Sequence, residues 1–473
     1  MDSSGVRFGT SGARGLVADM TAEVCFAYTA AFLQVIDMPA DAGGRVALGM
    51  DLRPSSPDIA RACAAAIRHA GLEVDFCGVL PTPALAFHAQ EQGIPAIMVT
   101  GSHIPFDRNG IKFYRAGGEI SKADETGIAA ASVSLPASLE LSPLPAINPQ
   151  ARAGYIARYL DFFPHNALAG MRLGFYEHSS VARDLLHELL QGLGASVISL
   201  GRTDQFVPID TEAVAEADIR QAQSWAAEHR FDAILSTDGD ADRPLLGDAA
   251  GNYLRGDVVG ILCAQALGAD AVATPVSSNT ALEKCGSFPR IARTRIGSPY
   301  VIEGMQALLG QGAQRVVGFE ANGGFLVGTS LEKDGRSLQP LPTRDAVLPI
   351  VALLALARER NMPLAKLPAS LPPRFTASDR IQNFATETSR QLIQKLAGDP
   401  AALRDFLAPL ALNAASLDQT DGLRITLANG EIIHLRPSGN APELRCYAEA
   451  ESQTRASELT QAGLRRVAAF ASM

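Results

Sequence analysis

Three aspartates alternate along Ser236-Thr237-Asp238-Gly239-Asp240-Ala241-Asp242-Arg243, directly after an apolar run at 231–235. Carboxylates at every second position of a turn can aim their oxygens at one centre, and such an all-oxygen set suits a hard divalent cation such as magnesium. A calcium helix-loop-helix site does not fit, because the position that needs Glu is Ala249. A solvated acidic turn is the plainer explanation, and the buried-looking strand before the turn counts against it. A second segment, Ile97-Met98-Val99-Thr100-Gly101-Ser102-His103-Ile104-Pro105, runs an apolar strand into a small polar turn that displays a serine. An ordinary turn serine would fit equally well. The continuation Asn109-Gly110-Ile111-Lys112 adds a second turn and strand that can bring a cation beside it.

Three more loops are suited to sugars and anions. In Gly318-Phe319-Glu320-Ala321-Asn322-Gly323-Gly324, the carboxylate of Glu320 accepts hydrogen bonds and the amide of Asn322 both donates and accepts, as sugar hydroxyls require. A Gly-rich turn with incidental polar residues explains that segment as well. Arg436-Pro437-Ser438-Gly439-Asn440-Ala441-Pro442, followed by Arg445, offers two guanidinium groups, a hydroxyl and the N–H groups of a Gly-containing turn to a phosphate dianion. Arginines at the surface end of a hairpin are its bland counterpart. Gly9-Thr10-Ser11-Gly12-Ala13-Arg14-Gly15 is another small-residue loop, with an arginine able to face an anion.

Such loops must be held by strand ends, and strand-like segments alternate with amphipathic helical stretches through the first 360 or so residues, the pattern of α/β layers. A strand at 45–51 leads to Ser56 as N-cap with Pro57 at the first helical position; Gly71 closes that helix before a strand Glu73–Val79. Strand Arg172–Tyr176, a helix at 181–193, strand Ser196–Leu200 and a strand at 231–235 form a second series. A helix at 257–267, strand Ala271–Pro275 and a strand at 315–319 form a third. The Pro-rich stretch 363–373 reads as a linker. Beyond it, strands at 423–427 and 431–436 flank Asn429-Gly430, a strong hairpin signal, and a strand at 443–449 precedes a terminal helix.

The chain has 473 residues, too many for one core, and its 47% hydrophobic and 19% charged residues are those of an ordinary soluble protein. A net charge of -9 argues against nucleic acid and anionic membranes as partners. An anionic small molecule remains compatible, since exposed charges more than about 10 Å away are largely screened. The six cysteines form no CxxC pair and no zinc pattern with the eight histidines, the first nine residues carry no apolar leader, and the longest apolar run, 346–357, is too short for a bilayer. The expected compartment is the cytoplasm.

In this order and spacing, GTSGARG, TGSHIP with NGIK, DGDADR, EANGG and RPSGNAPELR resemble the α-D-phosphohexomutase family, most closely its phosphomannomutase and phosphoglucomutase branch. The resemblance spans the chain. It implies three similar α/β domains with mixed sheets, 1–150, 151–255 and 256–368, and a smaller C-terminal α+β domain, 369–473, around a central cleft. It implies Ser102 as the phosphorylated residue, with magnesium between its phosphate and Asp238, Asp240 and Asp242. Arg14, His103, Lys112 and Arg243 would surround the transferring group, Lys112 or His103 being the general base. Glu320, Asn322 and Gly323 would bind sugar hydroxyls, and Arg436, Ser438, Gly439, Asn440 and Arg445 the distal phosphate.

The implied reaction interconverts hexose 1-phosphate and hexose 6-phosphate through a hexose 1,6-bisphosphate, which also serves as activator. Mannose is the first expected sugar and glucose the second, in a monomer or homodimer. The chain departs from the family pattern at Gly101 and Ile104, where many members read TASHNP, at Asn440 in place of threonine, and in the sugar loop, where no Gly-His follows Asn322. Phosphoglucosamine mutase is the nearest alternative. A phosphoserine-type phosphatase and a non-catalytic sugar phosphate binding protein are more distant ones.

Overall fold

The computed structural model describes residues 4–9, 12–36, 43–438 and 442–471, and builds four main sheets in succession along the chain. The first lies in the order Arg7–Phe8, Ala13–Leu16, Arg108–Arg115, Ala96–Val99, Arg45–Met50, Glu73–Val79, with Gly118–Glu119 paired to Arg108–Arg115. The second is Pro244–Gly247, Ala233–Thr237, Arg172–Tyr176, Ser196–Leu200. The third is Arg290–Thr294, Ala271–Pro275, Val316–Phe319, Phe325–Val327, Leu341–Asp345. The fourth, Phe375–Gln382, Glu443–Ala450, Ile432–Pro437, Leu423–Leu427, Ala414–Asp418, is antiparallel throughout.

The first three sheets share one reversal of direction. Ala96–Val99 is parallel to Arg45–Met50 and antiparallel to Arg108–Arg115. Ala233–Thr237 is parallel to Arg172–Tyr176 and antiparallel to Pro244–Gly247. Val316–Phe319 is parallel to Ala271–Pro275 and antiparallel to Phe325–Val327. A parallel step needs a long crossover, whereas the antiparallel step can be made by a tight loop. The three tight loops are those of Ser102, of the aspartates and of Glu320, each at the carboxyl end of a buried strand, where α/β sheets present their ligand sites.

Helices cover these sheets for recognisable local reasons. Thr21 caps Ala22–Val35, and Ser121 with Asp124 forms a capping box on Lys122–Ala130. Val347–Glu359 is apolar on all sides, so it must be enclosed, and it packs on Gly256–Ala266. It contains most of the longest apolar run, and no helix among the described residues is long and apolar enough to cross a membrane. One continuous core joins the first three sheets through Leu85, Tyr155, Leu235, Phe319 and Val351. The fourth sheet has its own core, around Leu396, Phe406, Ile433 and Val467.

Four local readings need adjustment. The first helix-start lies one residue earlier than expected: Ser55 is the N-cap and Ser56 the first helical residue, its hydroxyl taken by the carboxylate of Asp51. The strand expected at 231–235 begins at Ala233, because Phe231 is packed against Leu200 and Ala222 ahead of it. The linker at 363–373 coils into the 3-10 helix Leu364–Ser370, with Leu364 and Leu367 buried. Arg14 lies not in a loop but on the strand Ala13–Leu16, opposite Gly110.

Candidate active site

Ser102 is fully buried and adopts φ 52°, in the left-handed region. Its amide donates to Thr100 Oγ1 at 2.9 Å, and its hydroxyl donates to Asp238 Oδ2 at 2.6 Å with His103 Nδ1 at 3.3 Å. The approach is close. A Cβ on Gly239 would lie 2.9 Å from the Ser102 carbonyl oxygen, so the acidic loop meets the serine turn only because that position has no side chain.

Asp238, Asp240 and Asp242 are buried, and their carboxylate oxygens converge within 4.8 Å. Asp238 Oδ1 accepts the amides of Asp242 and Arg243, at 3.2 Å and 3.3 Å. Lys112 Nζ donates to Asp240 Oδ2 at 2.7 Å and to Asp242 Oδ2 at 2.8 Å. Thr82 Oγ1 donates to Asp240 Oδ2 at 2.6 Å. Asp240 Oδ1 and Asp242 Oδ1 are buried without a hydrogen bond, the second with only Arg243 Nε facing it at 3.5 Å. Carboxylate oxygens without a hydrogen bond in a dry site are costly, and a hard cation is the group that satisfies them. The residues therefore fit a divalent metal ion.

The electrostatics agree with that fit. Burial, and then the charges of Asp240 and Asp242, push Asp238 well above the ordinary carboxylate range. Asp242 is held well below it, its burial outweighed by Arg344, Lys112 and Arg243. Burial and the neighbouring Arg243 and Arg14 push His103 well below its ordinary value, and its Nδ1 accepts from Arg243 Nη1 at 2.8 Å, so the ring is neutral. Burial, with Arg243 and Arg344 nearby, lowers Arg14 to about 10. It remains a cation at neutral pH.

The sugar loop is tied to the acidic loop by a residue that sequence reasoning did not single out. Arg344 donates through Nη2 to Asp242 Oδ2 at 2.8 Å and through Nη1 to Glu320 Oε2 at 2.9 Å. Asn322 Oδ1 accepts the Gly324 amide at 2.9 Å, and its carbonyl accepts from Thr211 Oγ1 at 2.8 Å. Gly323 has φ 89° and packs on Pro244. Arg53 and Thr82 were also missed. The Asp51-Leu52-Arg53 step after the strand Arg45–Met50 was the available signal for the first of them.

In the fourth sheet Arg436 pairs with Arg445 across two interior strands, and Ser438 follows the end of the first; Gly439 and Asn440 lie outside the described residues. Arg436 Nε donates to Asp421 Oδ2 at 2.9 Å, and the same oxygen accepts the Ile296 amide of the third domain at 3.0 Å. Ser438 is buried and its amide donates to the Glu443 carbonyl at 2.8 Å. Despite its burial, Tyr447 and Glu212 hold Arg445 above the usual guanidinium value.

Sequence models of one family match this chain in four successive pieces: phosphoglucomutase/phosphomannomutase alpha/beta/alpha domain I over residues 5–135, domain II over 153–251, domain III over 255–375, and the C-terminal domain over 386–464. The chain belongs to the phosphoglucomutase/phosphomannomutase family. A phosphomannomutase from Salmonella muenchen is 49% identical over 99% of this chain and 96% of its own length. A phosphomannomutase from Sinorhizobium fredii is 44% identical over 97% of this chain and 98% of its own. A phosphoglucosamine mutase from Frankia alni is 28% identical, over 96% of each. The crystal structure of a phosphoglucomutase/phosphomannomutase family protein from Burkholderia thailandensis shares the fold, with a TM-score of 0.76, 21% identity, and coverage of 98% of this chain and 97% of that one. The chain is a phosphohexomutase, an isomerase of carbohydrate metabolism, with three α/β domains and a smaller C-terminal domain.

Proposed function

We propose that this mutase works through a phosphoserine at Ser102 and prefers mannose phosphates, with glucose phosphates second. The observation that carries the reading is the hydrogen bond of 2.6 Å from the Ser102 hydroxyl to Asp238, inside a trio of carboxylates with two oxygens that accept no hydrogen bond. Asp238, Asp240, Asp242 and the Ser102 oxygen would hold magnesium, which supplies positive charge to the transferring phosphoryl oxygens. The units 1–150, 151–255, 256–368 and 369–473 each contribute one face of the cleft.

Phosphoryl transfer needs in-line positioning and neutralisation of the equatorial oxygens. Arg14 and Arg243 supply fixed positive charge beside Ser102. The Ser102 O–P bond breaks as a bond from phosphorus to the sugar hydroxyl oxygen forms, and the hydroxyl proton passes by way of Lys112 or His103 to the departing Ser102 oxygen, so that neither side chain ends with an extra proton. The resulting hexose 1,6-bisphosphate turns end for end and returns its other phosphate to Ser102. Through both orientations Glu320, Asn322 and Gly323 hold the sugar, and Arg436, Ser438, Gly439, Asn440 and Arg445 hold the phosphate that is not reacting. The bisphosphate also restores phosphate lost from Ser102 to water. All six cysteines are free thiols, which supports the cytoplasm as the compartment.

The test incubates the protein with magnesium, a trace of hexose 1,6-bisphosphate, and mannose, glucose or glucosamine 1-phosphate. Formation of mannose 6-phosphate fastest, with one phosphate located on Ser102 by intact mass and peptide mapping, is the expected result. Release of inorganic phosphate without isomerisation would replace the mutase reading with a phosphatase. Fastest turnover of glucosamine 1-phosphate would reassign the sugar.

A further inference from the structure

Arg53 lies outside every loop assigned to substrate or metal, yet its side chain gathers the serine turn. Nη2 donates to the carbonyl oxygens of Ser102 at 2.9 Å and Ile104 at 2.6 Å. Nη1 donates to those of Pro105 at 2.7 Å and Arg108 at 2.8 Å. The residue is 1% exposed, and Nε faces Asp51 Oδ2 at 3.2 Å. Asp51 in turn accepts the amides of Gly101, at 3.2 Å, and Arg53 itself, at 3.0 Å. A Cβ at Gly101 would sit 2.5 Å from the Arg53 guanidinium carbon, so the cation occupies the space a side chain would need.

The clasp also reaches across a domain boundary. The Phe206 ring, from the loop that follows Ser196–Leu200, covers the guanidinium at 3.9 Å. The same ring stands 3.2 Å from where a Cβ on Gly239 would be, against the acidic loop. Ser102 itself is held at φ 52°, a conformation a serine avoids unless surrounding contacts impose it. A planar guanidinium presents five donors in a fixed fork, so four carbonyls bound to it lose the freedom to turn; a lysine ammonium offers three rotatable donors and fixes far less.

We propose that Arg53 is a positioning residue for phosphoryl transfer: with Phe206 it locks the Ser102 turn in the orientation that faces Asp238. The inference rests on Ser102 being the phosphorylated residue. Guanidinium geometry, rather than positive charge alone, is what the site requires.

Wild type, Arg53→Lys, Arg53→Ala and Phe206→Ala are compared with magnesium and hexose 1,6-bisphosphate for phosphate on Ser102 by intact mass, for kcat and KM with mannose 1-phosphate, and for melting temperature. Both Arg53 variants are expected to lose about 100-fold in kcat, the size of effect a misplacement near 1 Å produces, with KM changed less than about threefold. Millimolar guanidinium ion restores turnover to Arg53→Ala and leaves Arg53→Lys unchanged. Phe206→Ala, which keeps the fork, loses about tenfold in kcat. Full kcat in the Arg53 variants while wild-type Ser102 takes up phosphate overturns the inference alone. So does a loss that follows melting temperature and ignores added guanidinium. Absence of phosphate on wild-type Ser102 overturns the mutase reading, and the inference with it.

Discussion

The proposed reacting end of the cleft and its proposed distal end are built differently. Around Ser102 and the aspartates, buried groups from three domains bind one another directly: Lys112 from the first, Asp240 and Asp242 from the second, Arg344 from the third. These domains also share a core. The distal end belongs to a domain with a core of its own, joined to the third domain by polar contacts such as Ile296 to Asp421 at 3.0 Å and Thr280 N to Glu449 at 2.9 Å. On the proposed mechanism, transfer tolerates little displacement, whereas a phosphate that is released and regripped needs a partner that can part from the rest. Rigidity then falls where the proposal has bonds change.

The contrast yields predictions of decreasing size. Ser102→Ala should lower turnover by about 10⁴-fold or more and abolish the phosphate adduct in intact mass, with melting temperature nearly unchanged. Asp242→Asn should lower kcat by about 100-fold and raise the magnesium needed for half-maximal activity. It should also cost about 3 kcal/mol of stability in urea unfolding, because Lys112 and Arg344 stay buried with one charge fewer to meet them. At the other end, Arg445→Ala should raise KM for mannose 1-phosphate by about 10- to 100-fold while kcat moves by only a few-fold. A kcat loss in Arg445→Ala as deep as that of Asp242→Asn would erase the distinction between the two ends.

A further effect separates the domains by pH. His434, buried in the fourth sheet, has its protonation pushed down from 6.5 to about 4 by burial, despite its bond to the Asp421 carbonyl. Between those values the unfolded state holds the extra proton, so stability rises with pH across that window, by up to about 3 kcal/mol. His178 of the second domain is also pushed down to about 4 by burial, so the comparison is wild type against His434→Asn: the difference in hydrogen exchange at low pH should be confined to the fourth domain. A difference shared equally by the first three domains would contradict the separate core.

Much of this architecture was legible in the sequence. The strands Glu73–Val79, Arg172–Tyr176, Ser196–Leu200, Ala271–Pro275 and Leu423–Leu427 have the expected bounds, because apolar runs punctuated by turn residues carry local information. The loops of Ser102, the aspartates and Glu320 stand out because their residue types are unusual at strand ends. Arg344 and Thr82 did not, because their value lies in what they meet: Thr82 is 158 residues from Asp240, and nothing local marks either as special. Likewise Phe206 looks like any loop aromatic until Arg53 lies beneath it.

The bond from Arg344 to Asp242 spans 102 residues of chain. A polypeptide that emerges from the ribosome N-terminus first completes its acidic loop well before that arginine exists. Until then three neighbouring carboxylates have Lys112 and Arg243 as their nearby cations, and they are best left hydrated. The cluster is complete only once the third domain has been made, so the proposed active site is a late product of biosynthesis rather than a property of the half-made chain.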